Sequence, residues 1–96
     1  MTPTWTPEAV SDLEDILAYV AERNPAAASH VAERIDHSVA TLARYPKAGR
    51  HDAETGCHEW PIPGLPLLLV YVFDMETMRI IALFHTSRDP ATKRHP

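Results

Sequence analysis

Leu67-Leu68-Leu69-Val70-Tyr71-Val72-Phe73, then Asp74-Met75-Glu76-Thr77, then Met78-Arg79-Ile80-Ile81-Ala82-Leu83-Phe84 decides the fold. Two apolar runs of strand length flank a four-residue polar turn, which reads as a β-hairpin. The first run is apolar on both faces, so it belongs in the middle of a sheet. The second ends in a polar cluster, His85-Thr86-Ser87-Arg88-Asp89.

Upstream of the hairpin, Trp60-Pro61-Ile62-Pro63-Gly64-Leu65-Pro66 is too rich in proline for a central strand. It predicts an edge strand followed by a turn at Pro63-Gly64. Before Gly49 the periodicity is helical. Thr6 caps the first helix, Pro7 takes its first position, and Glu8 meets the positive end of its dipole. Ala9, Val10, Leu13, Ile16, Leu17, Val20 and Ala21 form one apolar stripe roughly 140° wide, with Asp12, Asp15 and Glu22 on the opposite, solvated face. Asn24-Pro25 ends this helix and starts the next. Ala28, Val31, Ala32, Ile35, Val39 and Leu42 form the second stripe, closed by Pro46 and Gly49. A connection this short predicts a helical hairpin. Thr2 to Thr6 is a candidate strand at the front. The fold class is α+β: an N-terminal helical hairpin packed on one face of a small antiparallel or mixed β-sheet. Residues 1–89 read as a single domain and 90–96 as a short C-terminal tail.

Ninety-six residues with an apolar fraction of 45% support one modest core. Nine basic against thirteen acidic residues give a formal net charge of −4. Proteins that bind nucleic acid draw most of their affinity from a basic excess, which this chain lacks, so no direct specific nucleic-acid binding is expected. The cations fall mainly in the second half, at Lys47, Arg50, Arg79, Arg88, Lys93 and Arg94, so any anion-seeking surface is expected there. Cys57 is the single cysteine, so the chain forms no internal disulfide, which suits a reducing compartment. No signal peptide is visible. No apolar run approaches the roughly 20 residues of a membrane helix. The expected location is cytoplasmic.

The ordered marks along the chain carry a family resemblance. They are Trp5…Pro7-Glu8-Ala9, Asp12-Leu13 with Ile16 and Tyr19, Asn24-Pro25-Ala26-Ala27-Ala28, and Leu42…Tyr45-Pro46…Gly49-Arg50. They continue with Glu59…Pro63-Gly64, Val70-Tyr71 and the closing His85…Arg88-Asp89. From Trp5 to Asp89 the chain resembles the RelE/ParE toxins of type II toxin–antitoxin systems. The resemblance implies a growth-inhibiting toxin made beside an antitoxin that holds it inert.

The family contains two modes of action. One branch cleaves messenger RNA on the ribosome, which demands a base, an acid and several cations close together. Glu59, His85 and Arg50 are the candidate catalytic set, but cations are sparse, and His58 stands where relatives often carry arginine. The ParE-like branch poisons DNA gyrase by binding and needs no catalytic group. This is the favoured reading, with a ParD-like antitoxin and DNA gyrase as expected partners. The candidate target-binding residues are Arg50, Arg79, His85 and Arg88, and the candidate antitoxin anchors are Tyr19 and Trp60. A non-toxic antitoxin-binding domain is the third reading. Arg50 has a plainer role open to it, satisfying carbonyls at the end of the second helix. Cys57, His58, His51 and His85 lack the paired spacing of a zinc module, so neither metal nor cofactor is expected.

Overall fold

The structure, a computed structural model, describes residues 1–86. Its elements run β1 (Thr2–Trp5), α1 (Pro7–Arg23), α2 (Pro25–Arg44), a 3₁₀ turn (Pro46–Ala48), β2 (Arg50–Asp52), β3 (Cys57–Pro61), β4 (Leu67–Phe73) and β5 (Thr77–His85). The five strands form one mixed sheet in the order β1-β5-β4-β3-β2. The β1–β5 pair is parallel and the others are antiparallel.

Local chemistry sets the helix boundaries. Thr6 Oγ1 accepts from the Ala9 N–H at 3.1 Å, and Pro7 follows at the first helical position. Asn24 serves both helices. Its own N–H donates to the Val20 carbonyl at 2.8 Å, and its Oδ1 accepts from the Ala27 N–H at 3.2 Å. Pro25 then starts α2 at no cost in donors. At the hairpin turn, Asp74 Oδ1 accepts from the N–H groups of Glu76 and Thr77, both at 2.8 Å.

Both helices lie on one face of the sheet. Ala9 and Ile16 of α1 and Val31, Ile35, Val39 and Leu42 of α2 join Ile62, Leu67, Leu69, Tyr71, Met78, Ile80 and Leu83 in one core. Each buried aliphatic chain of this kind contributes about 1.5–3 kcal/mol of transfer free energy. Tyr71 ties the 3₁₀ turn to the sheet. Its hydroxyl donates to the Pro46 carbonyl at 2.7 Å and accepts from the Gly49 N–H at 2.9 Å. Gly49 must be glycine for lack of room, since a Cβ there would strike the Tyr71 hydroxyl and stand 2.9 Å from the Glu59 carbonyl.

Three expectations are corrected. Trp60–Pro66 is not an edge strand: β3 ends at Pro61, and β2 flanks it. Because β2 reaches only from Cys57 to Glu59, Pro61 still lies where β3 has no second neighbour, which is what proline requires. Asp12 is not on a solvated face. It is partly buried, and its Oδ2 accepts from the Leu83 N–H at 3.0 Å. Val10, placed in the apolar stripe, lies at its margin and is 39% exposed.

Candidate functional site

Strand register sorts the candidate residues onto two faces. Leu67, Leu69 and Tyr71 of β4 point into the helix-covered core, so Leu68, Val70 and Val72 point the other way. On β5 the register slips: Val70 faces Ala82 while Tyr71 faces Ile80, leaving Ile81 as a bulge. The bulge reverses the alternation, so Met78, Ile80, Leu83 and His85 share the helix face despite their mixed parity. Among the described residues no helix packs on the other face.

Arg50, Glu59, Val70 and Ala82 form a row across that open face. Arg50 Nη2 and Glu59 Oε1 are 2.9 Å apart. The arginine side chain is 80% exposed and the glutamate 13%. The guanidinium stands in solvent while the carboxylate is mostly covered, so the arginine offsets the charge of a half-hidden Glu59. The Arg50 guanidinium, presented on Glu59, retains donors toward solvent. Arg79 lies on the same face and lines a cleft of about 340 Å³ with Thr4, Val72, Phe73, Asp74 and Thr77. Three strand spacings, roughly 14 Å, separate the strands that carry Arg50 and Arg79. The acceptor role of Asp74 toward the Thr77 and Glu76 N–H groups holds its carboxyl below the usual carboxylate value, with a smaller contribution from Arg79.

His85 is elsewhere. It pairs with Leu67 on the helix face and meets Tyr19 of α1 edge-on, with ring centroids 6.0 Å apart. Arg23 lies over the ring of that tyrosine, 3.6 Å from its centroid, and donates to the Tyr19 carbonyl at 3.0 Å. Arg23 is not among the candidate residues named from the sequence, although Tyr19 and Arg23 have the i, i+4 spacing that brings helix side chains together. Trp60 is a fastener for α2: its indole N–H donates to Ser38 Oγ at 3.2 Å, and Ser38 is 2% exposed. Arg88 lies outside the described residues.

The family model for the ParE toxin of the type II toxin–antitoxin system parDE matches residues 4–90. The chain belongs to the ParE toxin family. A relative in Sinorhizobium fredii, named "Putative toxin Y4kP", is 31% identical over 81 residues, covering 84% of this chain and 83% of its own length. A solved structure described as the chromosomal ParDE TA system from P. aeruginosa superposes with a TM-score of 0.79. It covers 88% of this chain and 95% of the other at 20% identity, a likeness of fold.

The candidate cleavage set of this ParE-family toxin does not assemble. Glu59 is held by Arg50 on the open face, and His85 is on the helix face beside Tyr19. A general acid and base must both reach the reacting group, and these two side chains point to opposite sides of the sheet. The four-residue zinc set is divided as well. Cys57 sits one residue from His58 on β3 and therefore points to the opposite face. Among the described residues no three His, Cys, Asp or Glu side chains are grouped to hold a metal. Burial, then the neighbouring His51, holds the His58 imidazole below its ordinary value. No helix of the described residues is long and apolar enough to cross a membrane.

Proposed function

We propose that this ParE-family toxin poisons DNA gyrase by binding it, cuts no nucleic acid itself, and is neutralised by a cognate ParD-like antitoxin. The observation that carries the reading is the separation of Glu59 from His85, set against the exposed guanidinium groups of Arg50 and Arg79 on a helix-free face. A binding patch tolerates such a layout, whereas a cleavage centre does not. Arginine suits a binding role, because its planar fork meets carboxylate or phosphate with two hydrogen bonds. The acidic balance of the chain supports a protein target over naked nucleic acid.

The antitoxin is proposed to lay an amphipathic helix along α1. Support comes from Val10, left open at the margin of the apolar stripe, and from Tyr19, half-buried and in contact with Arg23 and His85. Trp60, whose indole is engaged by Ser38, is proposed to support α2 rather than to anchor the partner.

The test is induction in cells without the antitoxin, with double-strand DNA breaks and messenger-RNA cleavage followed in parallel. DNA breaks with intact RNA are expected. Cleaved RNA with intact DNA would replace this reading with the nuclease one.

A further inference from the structure

His51 and His58 face each other directly across the β2–β3 pair. Their ring centroids are 4.9 Å apart and their planes are inclined by 47°. Two further rings stand against His58: Phe73 at 4.8 Å and Tyr71 at 5.5 Å. Tyr71 is itself fixed through its hydroxyl by Pro46 and Gly49. The His58 ring is thus held in place, while His51 is exposed and can adjust. His58 Nδ1 is shut off from solvent with no hydrogen-bond partner. That leaves Nε2 as the nitrogen for a ligand arriving from outside.

We propose that His51 and His58 form a two-imidazole clip for a late first-row divalent cation, zinc or copper, with water in the remaining positions. Two imidazoles on one ion, at metal–nitrogen distances of ~2.0–2.1 Å and angles of about 90–109°, hold their ring centroids roughly 4.5–5.2 Å apart. The observed 4.9 Å lies within that window, so the exposed His51 ring need only turn toward His58, with no change in the ring separation. Imidazole donors without carboxylate select zinc and copper over magnesium and calcium. The site is distinct from a four-residue zinc module, since Cys57 points to the opposite face and His85 lies at the far end of β5 beside Tyr19. Its consequence is mechanical. β2 is a three-residue edge strand joined to the sheet through β3 alone, and a cation shared by His51 and His58 pins it there.

The experiment is calorimetric titration of the full, untagged chain with ZnCl₂ and with CuCl₂, using MgCl₂ as the control, together with thermal melts. One zinc or copper ion per chain is expected, with copper the tighter. The melting temperature should rise with either ion, because it binds the folded chain preferentially. His51→Ala and His58→Gln should each weaken binding by at least the ~10–100-fold that loss of even an outer partner of a metal ligand costs. His30→Ala, on α2, should bind as the parent does. His51 is exposed, so its variant reports on the site even if His58→Gln unfolds. Absence of saturable binding, or parent-like binding by His51→Ala, overturns the proposal.

Discussion

Asp12 of α1 accepts a hydrogen bond from the backbone N–H of Leu83 on β5, at 3.0 Å. The last residue of β1 pairs with Ile80, so β5 runs on beyond it without a neighbour on that side. The carboxylate of Asp12 takes the place that a strand would have filled. One side chain therefore fixes the first helix to the bulged half of β5, which also carries His85. Hydrogen bonds to a charged acceptor contribute about 1.5–3 kcal/mol. Asp12→Ala should lose stability of that order in a denaturant titration, and Asp12→Asn, which keeps an acceptor, distinctly less. Equal stability of Asp12→Ala and the parent would contradict the role.

Tyr71 and Gly49 make a second matched pair. Tyr71→Phe removes the partner of the Gly49 N–H and of the Pro46 carbonyl while keeping the ring. A buried group left unsatisfied costs about 1–3 kcal/mol. Gly49→Ala forces a methyl into the same contact, at a cost of roughly 1–3 kcal/mol for overpacking. In the double variant the losses should fall short of their sum, since both act on one contact. Full additivity in thermal melts would mean that the two residues act independently.

The hairpin turn carries a pH dependence. The folded-state carboxyl of Asp74 is held below its ordinary value of 3.8, chiefly by the Thr77 N–H and then by that of Glu76. Above 3.8 the ionised form is present in folded and unfolded chains alike, and the turn has its full support. As the pH falls through the lower folded value, the folded carboxylate takes up its proton and the support is lost. The stability difference between the parent and Asp74→Asn should therefore shrink as the solution is acidified below 3.8. A difference that stays constant with pH would contradict this.

Much of the fold was legible because its signals are local. Asn24-Pro25 states a cap and a first helical position in two residues, and the apolar run from Leu67 to Phe73 states a central strand. β2 was not legible: Arg50-His51-Asp52 has no apolar alternation and is a strand only because β3 pairs with it. The site suffered from one event, the Ile81 bulge. Alternation counted from Met78 puts His85 on the open face with Arg79, and the bulge moves it to the helix face beside Tyr19. His85 therefore lies on the other face of the sheet from Arg50 and Arg79. Glu59 and Arg50, adjacent in the observed register, are nine residues apart in sequence, with no motif to link them.

The two-face layout predicts how toxicity responds to substitution. Under the proposed function Arg50 and Arg79 each make a binding contact, worth about 2 kcal/mol at a hot spot, so Arg50→Ala and Arg79→Ala should weaken growth arrest in a graded way that higher expression partly restores. His85→Ala should do less, because its ring packs on Tyr19. Loss of a general acid or base would instead cost about 10²–10⁴-fold in rate. Growth arrest at stepped, matched expression, with folding checked by circular dichroism, separates the two. An all-or-none loss at His85 or Glu59 would favour the nuclease.

The proposed target of the toxin is DNA gyrase, poisoned by binding alone. The direct measurement incubates the purified chain with purified DNA gyrase, ATP and supercoiled plasmid, and quantifies linear plasmid after protein denaturation. Linear DNA is expected to accumulate with toxin concentration, to require gyrase, and to fall when Arg50 is replaced by alanine. No linear product above the gyrase-only control, together with cleavage of messenger RNA on ribosomes by the same preparation, would contradict it.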